Sequence, residues 1–223
     1  MKKLGFTLSE VIIALGIIGV IAAITAPLLG SIIPDKNKVA VLKVYKTLTE
    51  INQEILNDPA LYRQAVCAHP FSGVPVSCAG LGFVTQPLIA PYNEDERYSG
   101  VTKYPFILAS KLQIQDEIEA DDTPVEFQTI DNVSWTVQDV AGGVFPDPIT
   151  GALLFGLGYE ITIDINGSEQ EPNCSECKNA DIFTFSVDNN GKVSGGDSLC
   201  RAYIANPNKL NDKRADYAAA GIN

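Results

Sequence analysis

From Val11 to Ile33 the chain carries no charged side chain, and Thr25 and Ser31 are its only polar ones. At 1.5 Å per residue this run makes roughly 34 Å of helix, against about 30 Å of hydrocarbon in a bilayer. Gly16, Gly19, Gly30 and Pro27 suit a membrane helix, where neighbouring helices satisfy freed backbone groups, better than a helix in water. A membrane-spanning helix is the first expectation. One carboxylate, Glu10, stands at its edge. Holding a carboxylate there costs on the order of 2.5–3.5 kcal/mol on insertion scales, so such a residue is normally paired.

Three kinds of segment match that outline. A cleaved secretory signal needs a small-x-small site, yet Ile24-Thr25-Ala26 is followed by Pro27, poor for presenting a scissile bond. The lipoprotein form of such a signal needs an early cysteine, and the first is Cys67. A plain anchor fits the length and leaves Glu10 unexplained. The third kind is more specific. Lys2-Lys3-Leu4-Gly5, then Phe6-Thr7-Leu8-Ser9-Glu10 and the apolar run, resembles the leader of type IV pilins and type II secretion pseudopilins.

The resemblance implies that a prepilin peptidase on the cytoplasmic side cuts between Gly5 and Phe6 and methylates the new amino group of Phe6. It makes Glu10 the family's assembly carboxylate and Pro27 its helix-kinking proline. The alternative for Pro27 is that it simply ends the membrane helix. Physically, a bared ammonium at Phe6 and a carboxylate at Glu10 of an adjacent subunit are each costly alone in a dry helix bundle and far less so as a pair. Charge pairing then sets the register between subunits, and the apolar helices supply the contact area. Proline removes one backbone donor and strains the preceding turn, which kinks or locally melts a helix.

Sixteen basic against 27 acidic residues leave a net charge of -11. Loss of residues 1–5 removes two lysines, so 14 against 27 gives -13. Such a balance argues against direct nucleic-acid binding, which needs a basic footprint. After Pro34 the pattern changes to amphipathic: Val41, Val44, Leu48, Ile51 and Ile55 recur at three and four, the spacing of a helix packed on one face. Asp58-Pro59 should stop it. From about Leu8 to Asn57 the two segments would make one spine of roughly 75 Å, continuous apart from the kink.

The remainder reads as mixed structure. Leu61–Ala65 suggests a helical turn, 70–82 a loop, and Tyr104–Ile118 a helix. Period-two alternation marks strands at 125–130, 133–137, 159–165 and 182–187, the first two joined by Asp131-Asn132 as a hairpin. Trp135 falls on the hairpin as a core aromatic, and 205–223 reads as a loose tail. The expected fold class is α+β, a long N-terminal helix whose amphipathic half packs on an antiparallel sheet. Its parts are a leader at 1–5, a membrane or filament-core helix at 6–33, the amphipathic half at 34–57, and an exported head at 58–223.

All five cysteines, Cys67, Cys78, Cys174, Cys177 and Cys200, follow the span. With Lys2 and Lys3 inside, the head is exported and disulfides are allowed. Cys67 could close a loop with Cys78, and Cys174 could pair with Cys177, or either with Cys200. An odd count leaves at least one thiol free or paired between chains. Asp164, Asn166 and Asp181 are candidate calcium ligands from a loop between strands; the alternative is a solvated turn. The resemblance lends calcium some support, since some secretion pseudopilins hold it in a late loop. His69 stands alone, and no residue constellation suggests an enzyme.

The sequence therefore points to a structural subunit of a type IV pilus or type II secretion-like filament. Its implied partners are the prepilin peptidase, other pilin or pseudopilin subunits, an inner-membrane assembly platform and membrane lipid. Its implied location is a single-pass inner membrane form before assembly and an extracellular or periplasmic filament after it. The rival is a monomeric anchored protein whose head recognises a ligand.

Overall fold

A computed structural model describes residues 8–32, 35–62, 66–68, 75–77, 81, 89–118, 123–146, 153–175 and 177–222, with backbone alone at 26–32, 66–68, 75–77, 141–146 and 153–157. The N-terminal helix α1 (Leu8–Ile32) exposes every side chain from Leu8 to Thr25. Its stretch Leu8–Thr25, with mean hydropathy 2.4, is long and apolar enough to cross a membrane. Helix α2 (Lys36–Asn57) follows, with Asp35 as its N-cap accepting the amide of Asn37 at 3.1 Å. The spine is therefore two helices, not the single one expected from Leu8 to Asn57. Proline disfavours helix at the residue before it, and α1 ends at Ile32, two residues short of Pro34. Asp35 then restarts the helix by satisfying one of its free amides. At the other end Asp58 is extended and Pro59 follows, as the sequence predicts.

Val41, Val44, Leu48, Ile51 and Ile55 are all buried, so the amphipathic period is realised. Their partners come from a five-stranded sheet ordered β3-β4-β5-β6-β7, antiparallel throughout, each strand beside its sequence neighbour. Its strands are β3 (Val125–Gln128), β4 (Ser134–Pro146), β5 (Leu153–Asp164), β6 (Ile182–Val187) and β7 (Val193–Gly195). Register sets Trp135 beside Ile163 and Ile163 beside Phe183, so alternate residues form one apolar face. That face and the α2 stripe share a single core. Trp135 stacks on Phe127 at 5.9 Å, 9° from parallel, which is the core role expected of it. β4 and β5 run well beyond the predicted alternation, and their pairing shifts register between Ala141 and Val144, at Gly142-Gly143, where glycine accommodates a bulge.

Other elements differ from expectation. A two-stranded ladder, β1 (Val66–Ala68) with β2 (Pro75–Ser77), occupies part of the predicted 70–82 loop. The helix predicted over Tyr104–Ile118 is the shorter α3 (Lys103–Lys111); Leu112 turns extended and Ile114 bridges to Thr129, because the sheet edge offers its backbone a partner. Leu61 and Tyr62 both donate to the carbonyl of Asp58, a turn that ends at the last described residue before 63–65. The loose tail expected at 205–223 is corrected most: α5 (Lys213–Ala220) forms there and packs against α4 (Ser198–Ala205), which precedes it. Asp197 and Asp212 cap their N-termini and Gly221 ends α5 at φ 77°, so the signals were capping residues rather than an apolar period.

Candidate functional site

Gly5 and Phe6 lie outside the described residues. Glu10 sits in the first turn of α1 on its exposed surface, where the helix dipole favours a carboxylate. Nothing lies within 4 Å of a Cβ placed on Gly16 or Gly19, leaving room for another helix to approach closely. Thr25 returns its hydroxyl to the carbonyl of Ile21 at 2.9 Å, so this polar side chain satisfies itself within the helix. Pro27 lies inside α1, which continues to Ile32; it neither ends the helix nor melts the turn it stands in. The arrangement is an uncovered apolar rod with one carboxylate near its start.

The head closes around the start of α2 through a network that sequence reasoning missed. Lys38 is wholly buried. Its Nζ donates to Asp216 Oδ2 at 2.6 Å and to the carbonyl of Lys209 at 3.0 Å, and lies 5.4 Å from the Tyr203 ring centre. Tyr203 donates to Asp35 Oδ2 at 3.1 Å, and Lys213 reaches Asp35 Oδ1 at 3.3 Å. The Asp35 amide donates to the carbonyl of Leu210, and Asn37 Nδ2 to those of Asn179 and Ala180. Burial, then the Asp35 charge, pushes the Tyr203 hydroxyl well above its ordinary pKa. One signal was available: Lys38 is three residues before Val41, on the buried stripe.

Cys174 and Cys177 form a disulfide, one of the pairings left open by the sequence. Cys200 is free and buried, so the possible pairings of Cys174 or Cys177 with Cys200 are corrected: α4 turns this thiol into the core. Burial first, then the charge of Asp197, raises its pKa. Cys78 and His69 lie outside the described residues, as does the side chain of Cys67.

The candidate calcium ligands are adjacent but differently employed. Both oxygens of Asp181 accept loop amides, Oδ2 from Asn173 at 3.0 Å and Oδ1 from Cys174 at 2.9 Å. Asp164 Oδ1 accepts the amide of Asn166 at 3.2 Å. Burial, then the nearby charge of Asp181, raises the Asp164 carboxyl above its usual range. Asn166 donates to the carbonyl of Glu171 while its Oδ1 is buried without a partner. Among the described residues no group of three or more His, Cys, Asp or Glu side chains comes together as a metal site. What this geometry builds is a loop fastened across the adjoining ends of β5 and β6, with Ile165 N–H donating to the carbonyl of Asp181.

Set beside known proteins, residues 1–26 match the model of the prokaryotic N-terminal methylation motif. No curated protein and no solved structure matches the chain. The matched segment spans the proposed cleavage point, Glu10 and the whole exposed stretch Leu8–Thr25 of α1, and the chain carries a type IV pilin-like prepilin motif at its N-terminus.

Proposed function

We propose that this chain is a structural subunit, a pilin or pseudopilin, of a type IV pilus or type II secretion-like filament. In this reading a prepilin peptidase cuts between Gly5 and Phe6 and methylates Phe6. The subunit waits in the inner membrane, held by α1, and is moved into a filament with other such subunits by a membrane assembly platform. The supporting observation is the coincidence of the methylation motif at 1–26 with a helix whose apolar side chains are exposed from Leu8 to Thr25. Such a surface needs lipid or other helices around it. The α+β head would then face outward from the filament, its role structural rather than catalytic.

Glu10 carries the sharpest consequence. Placed on the surface of α1, it can meet the methylated ammonium of a neighbouring Phe6, and the pair fixes how far one subunit is shifted against the next. Glu10→Ala keeps the residues around the scissile bond, so processing should persist. Sheared filaments from cells carrying the variant should contain at least tenfold less of this chain, since losing one partner of a desolvated pair costs several kcal/mol. Wild-type amounts in the sheared fraction would remove Glu10 from assembly.

A further inference from the structure

The exported end of the span is followed by cations gathered from three distant parts of the chain. Ile32 and Asp35 are three residues apart, so wherever α1 ends, the start of α2 lies within about 11 Å of it. The contacts to Asp35–Lys38 bring the loop at 177–180 and the stretch 209–217 to that same level. These segments expose Lys36, Lys178, Lys209, Lys213 and Arg214.

The acids there are spent elsewhere. Asp35, Asp181 and Asp216 are each only 2% exposed and are engaged by Tyr203 and Lys213, by two loop amides, and by Lys38. Asp212 caps α5 through the amide of Ala215 but stays exposed, one carboxylate set against those five cations. Among the described residues of these segments the outward charge is therefore positive, on a chain whose net charge is -11. Two further features set these cations apart. In the proposed orientation they lie on the exported side, where the rule that retains basic residues in the cytoplasm asks for none. Lys213 and Arg214 occupy the first turn of α5, where the helix dipole disfavours cations.

We propose that this base of the head is a docking surface for the anionic outer leaflet of the membrane in which α1 sits, with Lys36, Lys178, Lys209 and Arg214 against lipid phosphates and Lys213 beside them, held by Asp35. The proposal rests on α1 spanning that membrane. With α1 about 38 Å long at 1.5 Å per residue, Asp35 and Lys36 emerge at headgroup depth, and the contacts to Asp35–Lys38 hold the surrounding cations near that depth. The head would thus be seated on the membrane while the subunit waits, and released as it is lifted into a filament.

The test is hydrogen exchange on the full chain, held one copy per nanodisc, in phosphatidylcholine alone and in a mixture with phosphatidylglycerol. Amides at 206–220 should open less often in the anionic discs, by roughly fivefold for each cation held near the leaflet. High salt should erase the difference, as should Lys36→Glu, Lys178→Glu and Arg214→Glu combined. The sheet strand 182–187 should stay equally protected in that variant, showing that the fold survives. Equal protection of 206–220 in both lipids, with α1 protected, overturns the surface contact alone. Rapid exchange along α1 in both lipids overturns the membrane reading and the contact with it. A gain that appears only at several copies per disc assigns the face to a neighbouring chain and also overturns the proposal.

Discussion

Lys38 shows how one side chain can belong to a packed face and still be charged. It lies on the stripe of Val41 and Val44, wholly buried, and is tolerated because Asp216 and the Lys209 carbonyl both accept from it. Removing one partner leaves a buried charge uncompensated. Asp216→Ala should destabilise the head by about 3–5 kcal/mol in denaturant melts, while Lys38→Met with Asp216→Leu should recover most of that loss. Asp164 makes the opposite case. Its folded pKa lies above the ordinary carboxylate value, so the folded chain holds the proton longer and stability falls as pH rises through that window. Asp164→Asn keeps an oxygen for the Asn166 amide and removes the charge. Its thermal midpoint should exceed wild type at neutral pH and converge with it well below about pH 3.9. The sequence marked Asp164, Asn166 and Asp181 as a cluster of oxygens, and they are neighbours. Their partners were not legible, because backbone amides that spend a carboxylate carry no residue signature.

Elements with a strong period were read well. The stripe of α2 and the alternation of β3, β4 and β6 each need only a local pattern, and burial follows it. The boundary after Ile32, the shortened α3 and the C-terminal helices were not read. Each depends on a cap or on a backbone partner far along the chain: Asp35 for α2, Thr129 for Ile114, Lys38 for the stretch that carries α5. The β6–β7 turn joins both kinds of information. Asn189-Asn190-Gly191 announces a turn, and Gly191 takes φ 76° while its carbonyl accepts from buried Asn52 on α2. A Cβ there would meet Leu56 Cδ1 at 2.5 Å. Leu56 can swing aside, so the lasting cost of Gly191→Ala is the left-handed backbone, roughly 1–2 kcal/mol. Thermal melts of the variant should show a midpoint several degrees lower.

Across the whole molecule, two unlike bodies share one chain. The α2 stripe and the sheet bury one another and need no partner for that. Helix α1 has none among the described residues, its side chains exposed from Leu8 to Thr25. An apolar surface of that extent beside a well-covered core is an instruction to associate. The methylation motif at its head fits the proposed licence for that association, in which cleavage would expose an amine where a carboxylate can find it. This was the most legible part of the chain, because it depends on contiguous residues and on no tertiary contact. The most direct test is intact-mass and N-terminal peptide analysis of the chain purified from membranes. The account predicts a mature species beginning at N-methylated Phe6. A sole species that retains Met1–Gly5 would contradict it and favour a simple membrane anchor.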